Sequence, residues 1–202
     1  MWRRTVLASI AVCVAGGAAL CIGTDGFRAL TTEQARRLSI ARDPRTIPDA
    51  MLEDQDGHAF TLAQLRGAPV AVEFIYTRCQ SLCTLLSAGM QRFNTERSGP
   101  LANVNLVSIS FDVDGDSTPR LMEYATHYGA GGGSWRIARV RDPRDLPELL
   151  RAFGIVVIPD GAGGFQHNAA VHVLDAEGRL ARVLDADASP ADLARASATT
   201  WR

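Results

Sequence analysis

Net charge is the first thing this sequence has little of. Its 21 basic residues nearly cancel 22 acidic ones, leaving −1, and no long run of like charge breaks the pattern. A chain without a basic field has nothing to hold a polyanion, so nucleic acid is excluded as a partner, and no charged disordered tail is expected. Cysteine is scarce too. Two of the four, Cys13 and Cys21, lie in the apolar N-terminus, which leaves Cys79 and Cys83 alone in the body. Two cysteines are too few for a disulfide-stapled scaffold and cannot close a structural zinc site without other ligands. No internal repeat and no second folded domain are visible. A length of 202 residues, 47% of them apolar, suits one domain with a real core plus a short extra segment.

The extra segment is N-terminal. Arg3 and Arg4 precede an uncharged run over residues 5–24, and Asp25 is the first charge after it. That run is long enough to cross a bilayer. Arginines before it and an acid after it place the N-terminus in the cytoplasm and the body outside, on the periplasmic side. A cleaved signal peptide shares this plan, with Gly17, Ala18 and Ala19 as small residues for cleavage. Secretion to the periplasm after cleavage is therefore the alternative to a membrane anchor. A lipoprotein reading at Cys21 is disfavoured by Leu20, where a small residue is wanted, and Cys13 and Cys21 read as apolar packing in lipid. The expected division is residues 1–24 as anchor or signal, 25–45 as a polar connector and 46–202 as the folded domain.

Within the connector, Thr31-Thr32-Glu33-Gln34 before Ala35 and Leu38 has the form of a helix start. Pro44 and Pro48 then break the chain. Residues 51–54 and 58–60 flank a Gln55-Asp56-Gly57 turn and predict a hairpin. Residues 70–76 form a mostly apolar run, read as a buried strand, and a helix over about 79–94 should follow. Residues 104–111 predict another central strand. Thr118-Pro119 opens a helix to about Tyr128, with proline suited to its first turn. After the 129–133 glycine loop come a weak strand at 137–140 and a short helix at 146–153. Strands at 169–174 and 180–184 join through a 175–178 turn, and a last helix covers 190–198. Strands alternating with helices imply an α/β domain whose sheet has parallel pairs, edged by the final antiparallel hairpin. This order matches a thioredoxin-like layout.

Thr77-Arg78-Cys79-Gln80-Ser81-Leu82-Cys83 joins the buried strand to its helix. The carboxyl ends of strands are where sheet proteins place ligand sites, and a helix N-terminus favours the thiolate that binds metal or attacks disulfides. Thioredoxin-type redox cysteines lie three residues apart; these lie four apart. On a regular helix that spacing separates Cβ atoms by about 5–6 Å, against about 3.5–4.5 Å in a disulfide. Direct bridging would require Cys79 to leave the helix, whereas two thiolates one turn apart can clasp one metal ion. Soft thiolates select copper(I), with zinc as the other candidate. The plain reading is two buried packing cysteines.

Four histidines offer a further ligand. His58 lies in a turn and His127 on a polar helix flank, both read as solvated. His172 alternates with Val171 and Val173 in a strand, facing either solvent or the core. His167 follows the glycine-rich 161–164 segment and precedes a strand. It is either a ligand or an ordinary surface histidine, and spacing does not choose between them.

From about residue 48 to 184 the sequence resembles the Sco/SenC family of copper-binding proteins linked to cytochrome c oxidase assembly. The resemblance is carried by the segment from Phe74 to Cys83, by Ser108-Ile109-Ser110-Phe111-Asp112, and by Asp116-Ser117-Thr118-Pro119 with Leu121 and Tyr124. Trp135, Gln166-His167-Asn168-Ala169-Ala170 and Leu174-Asp175-Ala176-Glu177-Gly178 complete it. It implies a thioredoxin-like fold, copper(I) or copper(II) held by Cys79, Cys83 and His167, and a copper-accepting respiratory oxidase subunit as partner. The sequence departs from the family at four places. Gln80 and Thr84 replace the prolines usual after each cysteine, Val113 stands where proline often follows the aspartate, and Gln166 replaces an acid before the histidine. None removes an implied ligand; a missing acid beside the site bears on thiol reactivity and copper(II) affinity.

The expected function is that of a copper chaperone serving the binuclear copper site of the oxidase, a binding protein rather than an enzyme. The alternative is a thiol–disulfide oxidoreductase that keeps a redox partner's cysteines reduced. A peroxide-reducing enzyme is a third option on this fold, without a motif of its own. A purely structural role ranks last, because it leaves a cysteine pair at a strand end without purpose.

Overall fold

The computed structural model describes residues 2–79 and 82–198. The chain divides between Asp43 and Pro44 into two compact units. The first holds helix α1 (Trp2–Gly23) and helix α2 (Thr32–Arg42). Helix α1 has 22 residues, an 18-residue stretch of it reaches a mean hydropathy of 2.3, and it is long and apolar enough to cross a membrane. The start of α2 is fixed by a capping box. The Thr31 hydroxyl accepts from the Gln34 amide, and the Gln34 side chain accepts from the Thr31 amide. Each side chain thus satisfies a backbone donor that the first helical turn leaves open.

The second unit is built on an eight-stranded sheet. Its strands are β1 (Arg45–Thr46), β2 (Leu52–Asp54), β3 (Ala59–Phe60), β4 (Val70–Ile75), β5 (Asn105–Ser110), β6 (Trp135–Val140), β9 (Ala170–Leu174) and β10 (Arg179–Asp185), with β7 (Val157–Pro159) and β8 (Phe165–His167) forming a separate hairpin. The sheet order is β1-β10-β9-β4-β5-β6-β2-β3. Strands β4, β5 and β6 are parallel, and the flanking pairs are antiparallel. Helices α3 (Leu82–Glu96) and α4 (Thr118–Tyr128) provide the parallel crossovers; α5 (Leu146–Phe153) and α6 (Pro190–Ala198) complete the set.

Alternation along β4 shows how the layers form. Every residue of the strand is buried. Phe74 meets Phe153 of α5 edge-on at 5.1 Å, while its neighbour Glu73 accepts a hydrogen bond from Ser87 of α3. Helices α3 and α5 therefore cover opposite faces, and β4 is apolar on both because both are roofed. This helix–sheet–helix arrangement is the thioredoxin-like fold.

Most expected elements occur within a residue or two of their expected ends. Three strands were not anticipated. Strand β1 is two residues paired with distant β10, and the glycine segment at 161–164 is the turn of the β7–β8 hairpin. The fourth difference bears on chemistry. The cysteine-bearing helix is described from Leu82, and Cys79 lies in non-helical backbone, its amide donating to the Tyr76 carbonyl at 3.1 Å.

Candidate metal centre

The site forms where the carboxyl end of β4 meets the start of α3. Both cysteines are buried, Cys83 completely. The end of the β7–β8 hairpin adds His167. Cys79 Sγ, Cys83 Sγ and a His167 ring nitrogen all lie within 4.8 Å of one another. Donors sharing one ion at bond lengths of about 2.0–2.3 Å lie no more than roughly 4.6 Å apart, so the set could hold a metal with little rearrangement. Of the four histidines, only His167 reaches the cysteines. His58 and His127 are exposed; His172 is fully buried, with Phe74 and Phe153 edge-on to its ring.

The imidazole is oriented from both sides. Its Nδ1 lies 3.1 Å from the Asn168 carbonyl oxygen, and its Nε2 lies 3.3 Å from Cys83 Sγ. A carbonyl only accepts, so Nδ1 carries the proton and the Nε2 lone pair points at the sulfur, as a metal-ligating histidine requires. Phe111 meets the ring edge-on at 5.0 Å, and Tyr76 packs against it at 6.4 Å. Burial in this aromatic wall lowers the ring's pKa, opposed in part by the bond to Asn168, and so favours the neutral imidazole.

The hairpin is held in place by side chains with no direct role at the donors. The Asn168 side chain accepts from the Val156 amide at 2.7 Å and donates to the Gly154 carbonyl at 2.9 Å. Asp160 accepts from the amides of Ala162 and Gly164 across the turn. A Cβ at Gly164 would meet the Asp160 carboxylate at 2.6 Å, so a side chain there would push aside the group that pins the turn.

The loop carrying Cys79 is fixed by two buried aspartates. Asp116 accepts from the Thr77 amide at 2.9 Å and from the Thr77 hydroxyl at 2.6 Å, and Asp112 pairs with Arg78 at 2.8 Å. In the sequence these acids show only as parts of a family pattern; their positioning of the loop depends on the fold. Glu73 lies deeper. It is fully buried, with Oε1 accepting from Ser87 and Ser108, while Oε2 has no hydrogen-bond partner among the described residues. Burial pushes its carboxyl up to about 7, and the two hydroxyls hold it from going higher. Burial also raises the Cys83 thiol pKa, with neighbouring Cys79 adding to the effect and the Tyr76 backbone opposing it. A metal ion held by Cys83 would have to displace the thiol proton.

Of the departures from the family pattern, Gln166 is exposed on β8, and Thr84 donates weakly to the Cys79 carbonyl at 3.5 Å. Val113 is half-buried just after Asp112. Gln80 lies outside the described residues.

A fold with a cysteine pair after its first parallel strand and a histidine brought in by a late hairpin defines a class of soft-metal or thiol-redox site. The SCO1/SenC family model matches residues 41–202, and the chain belongs to that family. A SCO1 protein homolog of Bacillus subtilis is 24% identical over 130 residues, covering 63% of this chain and 67% of the relative. The structure of yeast Sco1 with copper bound matches with a TM-score of 0.62 at 19% identity, over 79% of this chain and 91% of that one. BsSco, described as a cytochrome c oxidase assembly protein with a disulfide switch, matches with a TM-score of 0.66 at 21% identity, over 79% and 98%.

Proposed function

We propose that this protein binds one copper ion through Cys79, Cys83 and His167 and donates it during assembly of the binuclear copper site of cytochrome c oxidase. The convergence of the three donors carries this reading: two soft sulfurs and one oriented imidazole nitrogen suit copper(I) and copper(II) in turn. The copper bound by the yeast relative and the oxidase assembly role of BsSco support it. Residues 1–24 act as an uncleaved anchor that holds residues 46–202 on the periplasmic side, with 25–45 as the connector, and the arginines ahead of α1 set that orientation. Metal analysis of protein purified without oxygen tests the reading: about one copper per chain supports it, and stoichiometric zinc in its place overturns it.

A thiol–disulfide oxidoreductase is the second reading, and one observation favours it. Cys79 is off the helix, so the objection that helical spacing holds the two Cβ atoms too far apart for a disulfide does not apply. Catalysed turnover of a disulfide substrate above that of free thiol separates this reading from a purely metal-binding one.

A further inference from the structure

The two cysteines face different surroundings. Cys83 is fully buried against His167. Cys79 forms part of the wall of an open cleft of about 490 Å³, to which neither Cys83 nor His167 contributes. One face of α4 supplies much of the remaining lining. Arg120, Glu123, Tyr124 and His127 recur at the three- and four-residue spacing that stacks side chains on successive helical turns. Arg78 sits at the edge with its charge committed to Asp112. Arg120 and Glu123 are both exposed, and neither forms an ion pair among the described residues. The cleft thus holds an arginine and a glutamate without ion-pair partners among the described residues, a helical turn apart, in the same lining as a cysteine. Its volume suits a ligand of one to a few residues.

We propose that this cleft binds a small thiol carrying an α-amino-acid head group, with its carboxylate on Arg120 and its ammonium on Glu123, so that its sulfur meets Cys79. Arginine pairs with a carboxylate through two parallel hydrogen bonds, which orients the ligand as well as attracting it. The proposal rests on the copper-donor reading and names its exchange partner. In the exchange, the incoming thiol sulfur forms a bond to copper(I), the bond from copper to Cys79 breaks, and the thiol proton passes to Cys79. Copper stays copper(I), and no electron donor or acceptor is needed. Cys83 keeps the ion during the exchange because it is buried beside the imidazole and away from the cleft.

The test uses the full-length, reduced, metal-free protein titrated with S-methylglutathione, which has the head group but no free thiol. Calorimetry should show saturable binding, weakened at least tenfold by Arg120→Gln and by Glu123→Gln with unchanged circular dichroism. Absence of saturation, or equal binding by the variants, overturns the proposal. A second measurement follows copper(I) leaving the loaded protein for glutathione or for 2-mercaptoethanol at equal concentration. The preference for glutathione should fall several-fold in Arg120→Gln; an unchanged preference overturns the exchange step. A protein that binds S-methylglutathione but takes up no copper would sink the donor reading while leaving the cleft assignment standing.

Discussion

Cys83 Sγ lies 3.3 Å from His167 Nε2, and the opposite nitrogen of that ring is held 3.1 Å from the Asn168 carbonyl. The imidazole is therefore aimed before any ion arrives. Copper(I) is satisfied by two thiolates, whereas copper(II) gains from a nitrogen donor. His167→Ala should weaken copper(II) binding by more than the roughly 10–100-fold that loss of an outer orienting partner costs, and should weaken or shift the copper(II)–thiolate charge-transfer band. Copper(I) should remain bound. His172→Ala and His127→Ala should leave the band in place, since neither ring reaches the cysteines; loss of the band in His172→Ala alone would contradict the site.

Asn168→Ala removes the two bonds that pin the hairpin to Val156 and Gly154. Each contributes about 1 kcal/mol, so the domain should stay folded while the hairpin loosens. Copper(II) affinity should fall by about 10–100-fold, with faster hydrogen exchange at the Val156 amide. A protected amide with unchanged affinity would show that the backbone alone holds the hairpin.

Glu73 makes stability depend on pH. Its carboxyl titrates near 7 in the folded protein and near 4.5 in the unfolded chain. Between those values the folded state binds the extra proton, so this contribution is complete below about pH 4.5 and is lost as pH rises through 7. The size is on the order of 3 kcal/mol. His167 acts in the opposite sense: its lowered pKa gives stability that is lost as pH falls below its unfolded value. Denaturant titration at pH 5 and pH 8 should show wild type losing stability on the alkaline side and Glu73→Gln losing little. Parallel losses in both would exclude Glu73 as the source.

The two thiols should differ in reactivity. Cys83 is fully buried with a raised thiol pKa, while Cys79 borders the cleft. Thiolate is the reacting species, so iodoacetamide at mild pH should label Cys79 first and reach Cys83 only on unfolding. Equal labelling, read by mass spectrometry, would contradict the asymmetry.

The membrane topology can be tested without metal. A reporter active only outside the cytoplasm, fused after Arg202, should be active, and alkaline carbonate should leave the protein in the membrane fraction. Release into the soluble fraction would instead indicate cleavage near Ala19.

Local chemistry made much of the fold legible in the sequence. Thr31 and Gln34 announced α2 because a capping box is a short-range device, Pro119 announced α4, and the apolar run at 70–76 announced the central strand. The register of distant segments was not legible. Strand β1 exists only because β10 lies beside it, and the glycines at 161–164 read as a loop because the pairing of Val157 with His167 leaves no periodic mark. The same limit applied at the site. Cysteine spacing raised the metal hypothesis, but the assumption of a helix beginning at Cys79 overstated the obstacle to a disulfide. Glu73 stood in plain view as an acid inside an apolar strand, the one sequence signal of the buried hydroxyl network beneath the cysteines.

The central claim is that Cys79 and Cys83 together hold copper. A competition titration of copper(I) against a chromophoric chelator, using reduced wild type and Cys83→Ala, tests it most directly. Wild type should take up one equivalent and hold it against the chelator, and Cys83→Ala should surrender it. Equal retention by Cys83→Ala would show that the ion is not held by the thiolate pair.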